Sequence, residues 1–272
     1  MKKILVTGGT GFIGSHTVVE LHNAGYEPIL IDNFSNSERS VLQGIKNITN
    51  KDFSFYEADC NDPNTFQSIF REHKIEGVIH FAAYKAVGES VKVPLKYYNN
   101  NINSLINLLE SMLKFEVNNL VFSSSCTVYG QPDSLPVTED APIKKAESPY
   151  GNTKQICEEI IVDTCAANAS LHAISLRYFN PIGAHPSAEI GELPLGIPGN
   201  LVPFITQTAA GIREKLTVFG NDYHTPDGSC IRDYIHVVDL AKAHVKAFEL
   251  LDNGNNVSHD FSTRKPLSYK TK

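Results

Sequence analysis

The chain has 272 residues, 42% hydrophobic and 20% charged, with a net charge of −6 at pH 7, which is material for one large domain or two linked ones around a full core. The acidic balance, with no cluster of lysines and arginines, argues against nucleic acid as a partner. No apolar run approaches the length of a membrane span, and the opening apolar stretch stops at Gly8, short of a signal-peptide core. Five cysteines (60, 126, 157, 165 and 230), odd in number and without paired spacing, fit reduced thiols in the cytoplasm and no metal site.

Lys3-Ile4-Leu5-Val6-Thr7 is a short β-branched run bounded by glycine and predicts a buried strand. Glycines follow at 8, 11 and 14. Ile13, Thr17, Leu21 and Ala24 then recur at helical spacing, with Gly25 where a C-terminal cap belongs. Glu27-Pro28-Ile29-Leu30-Ile31 predicts a second strand, ending on Asp32. Glycines at this spacing, between a strand and a helix, bring backbone N–H groups against a pyrophosphate at the helix N-terminus. An acidic residue about 20 positions on accepts the ribose hydroxyls and repels a 2′-phosphate. Dinucleotide binding is therefore expected here, the alternative being glycines that serve helix–strand packing alone.

Strand-like runs at Phe53–Ala58, Gly77–Phe81, Leu120–Ser123 and His172–Arg177 alternate with helical spacing over Asn64–His73, Pro94–Phe115 and Pro149–Ala167. That alternation predicts right-handed βαβ units and a Rossmann-like, doubly wound parallel α/β sheet. Ligands in such sheets bind beyond the carboxyl ends of the strands, which points at Asp59-Cys60, Phe81-Ala82-Ala83, Ser123-Ser124-Ser125 and Tyr178-Phe179-Asn180. Residues 1–180 are thus expected to form the dinucleotide-binding domain. From 181 to 200, eight of twenty residues are Gly or Pro, which excludes a regular helix or a central strand. Residues 181–272 are expected to form a smaller substrate lobe: a helix over Leu201–Arg213, short strands at Leu216–Phe219 and Arg232–Val237, and a helix capped by Asp239 that runs to Leu251. Residues 235–251 are expected to pack back on the first domain. The last dozen residues show no period and are expected to fray.

Tyr150 and Lys154 are the candidate chemical pair. Ser148 is a fit N-cap and Pro149 a fit first helical residue, so Tyr150 falls in the first turn and Lys154 on the same face. A free phenol titrates near pH 10. A nearby ammonium and a cationic nicotinamide favour phenolate, making Tyr150 a base for a substrate hydroxyl while hydride leaves the same carbon. Ser125, at a strand end, is placed to bond the same oxygen. Tyr-x-x-x-Lys also arises by chance, and its position behind a dinucleotide fold is what gives it weight. His236 and His244 are expected to be structural or exposed.

Together these residues resemble the extended short-chain dehydrogenase/reductase superfamily and, within it, the UDP-glucose 4-epimerases. The likeness is carried by Gly8–Val19 (GGTGFIGSHTVV), Asp32–Ser37 (DNFSNS), Lys85–Ser90 (KAVGES), Ser123–Gly130 (SSSCTVYG), Ser148–Lys154 (SPYGNTK), Arg177–Pro186 (RYFNPIGAHP) and Arg232–Leu240 (RDYIHVVDL). The glycine loop and Tyr-x-x-x-Lys belong to the whole superfamily, whereas KAVGES and RYFNPIGAHP are particular to the epimerases.

The resemblance implies a reversible inversion at C4 of a UDP-hexose through a 4-keto intermediate, with NAD held through turnover. Tyr150 is then the base on the 4-hydroxyl, Ser125 its helper, and Lys154 the ligand of the nicotinamide ribose. NAD contacts implied in the same way are Gly8, Gly11, Phe12, Ile13 and Gly14; Asp32, Asn33, Phe34, Ser35, Asn36 and Ser37; Asp59, Cys60 and Asn100; Phe81, Ala82, Ala83, Tyr84 and Lys85; Ser125, Tyr150, Lys154 and Phe179. Lys85, Ser125, Tyr150, Asn180, Asn200, Leu201, Phe219 and Arg232 match the substrate contacts. Arg232 brings fork-shaped donors for a diphosphate, the alternative being an ion pair with Asp233. The family pattern also implies a homodimer through the helices after Pro94 and Pro149.

Ala83-Tyr84 departs from the family's usual Gly-Leu, and Gly199 from a usual asparagine. The family continues for roughly another quarter of its length, with a second arginine and an acidic residue for UDP, and His259–Lys272 departs from its strand-to-helix turn. The rival readings are a 4,6-dehydratase or decarboxylase of the same superfamily, and an NAD-binding module without turnover. A dehydratase commonly has an Asp-Glu pair where Cys126-Thr127 stands.

Overall fold

The computed structural model describes residues 1–253. Its main sheet runs β3-β2-β1-β4-β5-β6, every pair parallel. The strands are β1 (Lys3–Thr7), β2 (Glu27–Asp32), β3 (Phe55–Glu57), β4 (Ile75–His80), β5 (Asn119–Ser123) and β6 (His172–Leu176). Apolar β-branched runs of about five residues can be buried on both faces only if helices cover both. On one side lie α3 (Pro63–Glu72), α5 (Pro94–Lys114) and α6 (Pro149–Ala167), whose Phe66, Leu105, Leu108, Met112 and Ile161 join Leu5, Val78 and Leu120 in one core. On the other lie α1 (Phe12–Asn23), α2 (Ser40–Thr49) and α8 (Val237–Asp252), with Val18, Leu21, Ile45, Val245 and Phe248 packed on Ile4, Ile79 and Val121. The expected Rossmann-like sheet is the one observed. The short α4 (Val87–Lys92) precedes α5.

After β6 the chain leaves the sheet. β7 (Asn180–Ile182) and β8 (Tyr234–His236) pair in parallel as a separate two-stranded sheet, with α7 (Leu201–Ala209) on the excursion between them. The segment 184–192 folds back over α2, where Ile190 is buried beside Val41 and Ile45. α8 lies against α1, β5 and β6.

Several boundaries differ from the sequence reading. The helix expected over Leu201–Arg213 stops at Ala209, because Gly211 turns the chain at φ +73°. Leu216–Phe219 forms no strand; it finds no neighbour to share a ladder, and Phe219 is 96% exposed. His236, not Asp239, caps α8, accepting the Val238 N–H at Nδ1 at 3.3 Å. Ala24 is the C-cap of α1, with Gly25 following at φ +87°. The sequence reading passes over α2, although Val41, Ile45 and Ile48 recur at helical spacing, and over the short α4 and a 3₁₀ turn at Cys126–Tyr129. The expected frayed end and the departure at His259–Lys272 lie outside the described residues.

Three histidines, His16, His80 and His244, are almost fully buried. Burial holds their pKa values down to about 4, about 3 and about 4. Unfolded rings titrate near 6.5, so below that pH the unfolded chain binds protons that the folded chain refuses. Stability should be indifferent to these rings above pH 7. It should fall from pH 6.5 towards 4 by about 1.4 kcal/mol per pH unit for each ring. Thermal melts between pH 4.5 and 8 check this, and a flat Tm down to pH 4.5 would contradict it.

Candidate active site

The site is built at the carboxyl ends of the parallel strands. Beyond β1 the chain turns at Gly8 (φ +66°), and the Gly11 N–H donates to the Gly8 carbonyl at 3.0 Å. Gly11 caps α1 with no side-chain acceptor, so the first-turn N–H groups of Phe12 and Ile13 face outward for an anion. A Cβ on Gly14 would run into the Gly8 carbonyl, which is why the first turn of α1 can sit this close to the loop. Gly14→Ala should force the loop open and reduce the NAD carried by the purified protein at least tenfold (about 1.4 kcal/mol). The cofactor released on denaturation measures this, and full occupancy in the variant would contradict it.

Asp32, at the end of β2, accepts the Thr10 N–H at Oδ2 (3.2 Å) and the Phe34 N–H and Ser37 hydroxyl at Oδ1 (2.9 and 3.1 Å). Thr10 and Ser37 close the ring of contacts, their hydroxyls 2.7 Å apart. Asn33, Ser35 and Asn36 stand exposed around this carboxylate, and Phe34 takes φ +54°. Asp59 accepts from Asn33 and Asn61, whose bonds hold its carboxyl below the usual range against the opposing effect of burial. Asn61 in turn reaches Asn100 at 2.9 Å. Cys60 is buried beneath.

Beyond β4, Phe81, Ala82, Ala83 and Tyr84 line the opening with half-exposed faces, and Lys85 is exposed. The buried Asn101, which sequence reasoning passed over beside Asn100, fixes this loop. It accepts the Tyr84 N–H at 2.8 Å and donates to the Tyr84 carbonyl at 3.0 Å and to Thr153 at 3.0 Å.

Beyond β5, Ser125 is buried and accepts the Thr127 N–H and hydroxyl at 3.2 and 2.9 Å. Ser148 caps α6, accepting the Gly151 N–H at 3.1 Å with Pro149 in the first turn, and this sets Tyr150 against the strand end. Burial pushes the Tyr150 phenol up to about 12, and the neighbouring Ser125 hydroxyl pulls it partly back. The expectation of a phenol made acidic by Lys154 and a bound nicotinamide is corrected in its first part. Lys154 is not among the groups acting on it. The ammonium instead donates to the Ser123 carbonyl at 2.7 Å and stands 4.8 Å from the centroid of the Phe122 ring. Burial lowers Lys154 to about 8, so the cation survives at neutral pH. Beneath it, Glu158 takes a bidentate contact from Arg177 (2.6 to 3.2 Å) and the Ser124 hydroxyl.

The substrate candidates are only partly brought together. Phe179 and Asn180 are exposed at the exit from β6, and Asn180 donates to the Asp233 carbonyl at 3.3 and 3.0 Å. Arg232 therefore stands close by, its guanidinium bonded to the Ile231 carbonyl at 2.8 Å. Its charge reaches Cys126, whose thiol burial pushes up and Arg232 opposes. Among the described residues it makes no ion pair with Asp233. Glu192 links Lys85 (3.6 Å) to Asn200 (2.7 Å). Leu201 and Phe219 lie out on the excursion, both exposed. Among the described residues no cluster of His, Cys, Asp or Glu could hold a metal.

Residues 4–260 match the family described as "NAD dependent epimerase/dehydratase family". A UDP-glucose 4-epimerase of Bacillus subtilis (strain 168) is 56% identical over 250 residues, 92% of this chain and 74% of that protein. One from Mus musculus is 52% identical over 257 residues, with the same two shares covered. Among solved structures, a UDP-glucose 4-epimerase from Bifidobacterium longum in complex with NAD+ and UDP superimposes with TM-score 0.88 at 47% identity, covering 92% of this chain and 74% of that one. One from Stenotrophomonas maltophila, with bound NAD and formylated UDP-arabinopyranose, gives 0.90 at 46% identity over 98% and 77%.

Proposed function

The chain belongs to the NAD-dependent epimerase/dehydratase family, and on that footing we propose that it interconverts UDP-galactose and UDP-glucose by inverting C4 of the hexose. The single observation that carries the reading is the placement of Tyr150 and Ser125 together at the end of β5, with Lys154 one helical turn on and buried. The chain fits NAD: uncapped first-turn N–H groups face the pyrophosphate position, no Cβ blocks Gly14, and the Asp32 carboxylate suits ribose hydroxyls and opposes a 2′-phosphate. The other cofactor residues implied by the resemblance, from Gly8 to Phe179, are proposed as its further contacts.

When bound, the oxidised nicotinamide would supply the acceptor for the C4 hydride, its donor on the return to the other face, and a positive charge. Tyr150 takes the proton of the 4-hydroxyl, and Ser125 holds the oxygen in line. A phenol near 12 is a poor base at pH 7, and each unit by which a cation lowers it is worth about 1.4 kcal/mol. Lys154 keeps its ammonium towards the ribose. Asn180 and Arg232 receive the UDP end, where a guanidinium suits a diphosphate; Lys85, Asn200, Leu201 and Phe219 complete the substrate side. Rotation of the 4-ketose about its link to UDP presents the other face, and Tyr150 returns the proton to the inverted oxygen.

Five free thiols support a reducing compartment, the cytoplasm, and among the described residues no helix is long and apolar enough to cross a membrane. α5 and α6 pack side by side, and α5 leaves Leu95, Ile106 and Leu113 exposed, which supports a homodimer through these helices. The function is tested by incubating the purified chain with UDP-galactose and separating the UDP-hexoses. UDP-glucose without added NAD is the expected product. A 4-keto-6-deoxy sugar would favour a dehydratase, and bound NAD with no conversion would favour a binding module.

A further inference from the structure

Residues 184–192 carry one acidic side chain that the chemistry above leaves out. The segment is pinned at several points. Ala184 pairs with Gly191, the His185 N–H donates to the Ile190 carbonyl at 3.1 Å, and Ile190 is buried beside Val41 and Ile45. Asn47 of α2 donates to the Glu189 carboxylate at 2.8 Å, and a Cβ on Gly44 of α2 would run into the Glu189 carbonyl. Glu192 therefore leaves a fixed stretch of backbone, and its side chain is only 12% exposed. One of its oxygens, Oε1, accepts the Asn200 amide N–H at 2.7 Å and lies 3.6 Å from the Lys85 ammonium.

Asn200 is the N-cap of α7, with extended backbone, where an asparagine ordinarily turns its side-chain oxygen back onto the first helical N–H groups. It makes no such bond here, and its amide goes to Glu192 instead. Among the described residues, Glu192 is the only side chain that either Asn200 or Lys85 bonds. At 3.6 Å the lysine contact is an ion pair without a hydrogen bond, so the ammonium keeps its protons; Asn200 keeps its second amide proton and Oδ1.

We propose that Glu192 is a positioning residue for the UDP side of the site: its carboxylate holds the Asn200 amide and the Lys85 ammonium at one fixed point, with their remaining polar atoms free for the substrate. The inference rests on the function proposed above, in which Lys85 and Asn200 contact the UDP-hexose. By charge alone, a carboxylate beside these two residues would oppose an anionic ligand. Positioning and repulsion therefore predict opposite signs when the carboxylate is removed.

The test is calorimetric titration of the NAD-loaded full chain with UDP, which needs no turnover. Glu192→Ala should weaken UDP binding about tenfold, as the loss of a hydrogen bond to a charged group predicts. Glu192→Gln keeps an oxygen for Asn200 and should stay within about threefold of the wild type. Tighter binding in both variants would mean that the carboxylate only repels the anion, and would overturn the proposal. Where Lys85→Met and Asn200→Ala have already removed its partners, Glu192→Ala should change UDP affinity by less than about twofold. An undiminished loss in that background would mark a merely structural role and refute the positioning claim. With UDP-galactose as substrate, KM should rise about tenfold in Glu192→Ala while kcat stays within about twofold. If Glu192→Ala does not fold, Glu192→Asp, whose carboxylate falls one methylene short, replaces it with the same expectation. A wild type that binds UDP yet converts no UDP-galactose ends the proposed function while the role of Glu192 is still decided. Conversion by the wild type, with UDP affinity unmoved in Glu192→Ala, ends this inference alone.

Discussion

Tyr150→Phe is expected to abolish interconversion of UDP-galactose and UDP-glucose, with a loss of at least about 10³-fold, while bound NAD and the melting temperature stay near wild type. In the proposed function the phenol hydroxyl exchanges a proton with the hexose, and its bonded neighbour Ser125 keeps two other partners, the Thr127 N–H and hydroxyl. Removing one oxygen therefore deletes the acid–base step and little packing. Separation of the UDP-hexoses after hours of incubation, alongside the cofactor released on denaturation, measures both halves. Turnover near the wild-type rate would remove Tyr150 from its role.

Glu158→Ala should cost about 3–5 kcal/mol of stability, which for a chain of this size lowers Tm by about 6–20 °C. Glu158 and Arg177 have side chains only 4% and 2% exposed, and their bidentate pair also holds the Ser124 hydroxyl between the strand ends. Deleting the carboxylate leaves a buried guanidinium with, among the described residues, Tyr129 to offset its charge, through its ring 4.9 Å from the guanidinium carbon and its hydroxyl. Replacing both partners by apolar residues of similar volume, Glu158→Leu with Arg177→Met, should recover most of the loss, since no unpaired charge then remains buried. Thermal and denaturant unfolding of the single and double variants decide this. A single variant within 1 kcal/mol of wild type would show the pair to be solvated after all.

Much of this was legible along the chain because the governing interactions are local. The turn after β1, the acid ending β2, and the Ser148-Pro149 start that sets Tyr150 in the first turn of α6 are all defined within a few neighbouring residues. What escaped depends on partners distant in sequence. Lys154 shares a helical face with Tyr150, yet its ammonium goes to Ser123, thirty-one positions earlier on a different strand. The phenol pKa was expected to fall beside Lys154 and a bound nicotinamide; in the chain by itself Lys154 does not act on it and burial is the larger effect. Asn101 carries no motif; only the fold brings it to the strand ends. Leu216–Phe219 had the right composition for a strand, but a strand requires a neighbour, which no local pattern reveals.

The pairing of Asn180–Ile182 with Tyr234–His236 means that some fifty residues leave and rejoin the framework at a single doorway. The segment behaves as a cassette clasped at its two ends and held once more where Ile190 is buried against α2. Exchanging residues 193–231, beyond that anchor, for the matching stretch of a relative would leave the parallel sheet and the Tyr150 helix untouched. New sugar preferences in such proteins can therefore be drafted without rewriting the machinery that handles the proton.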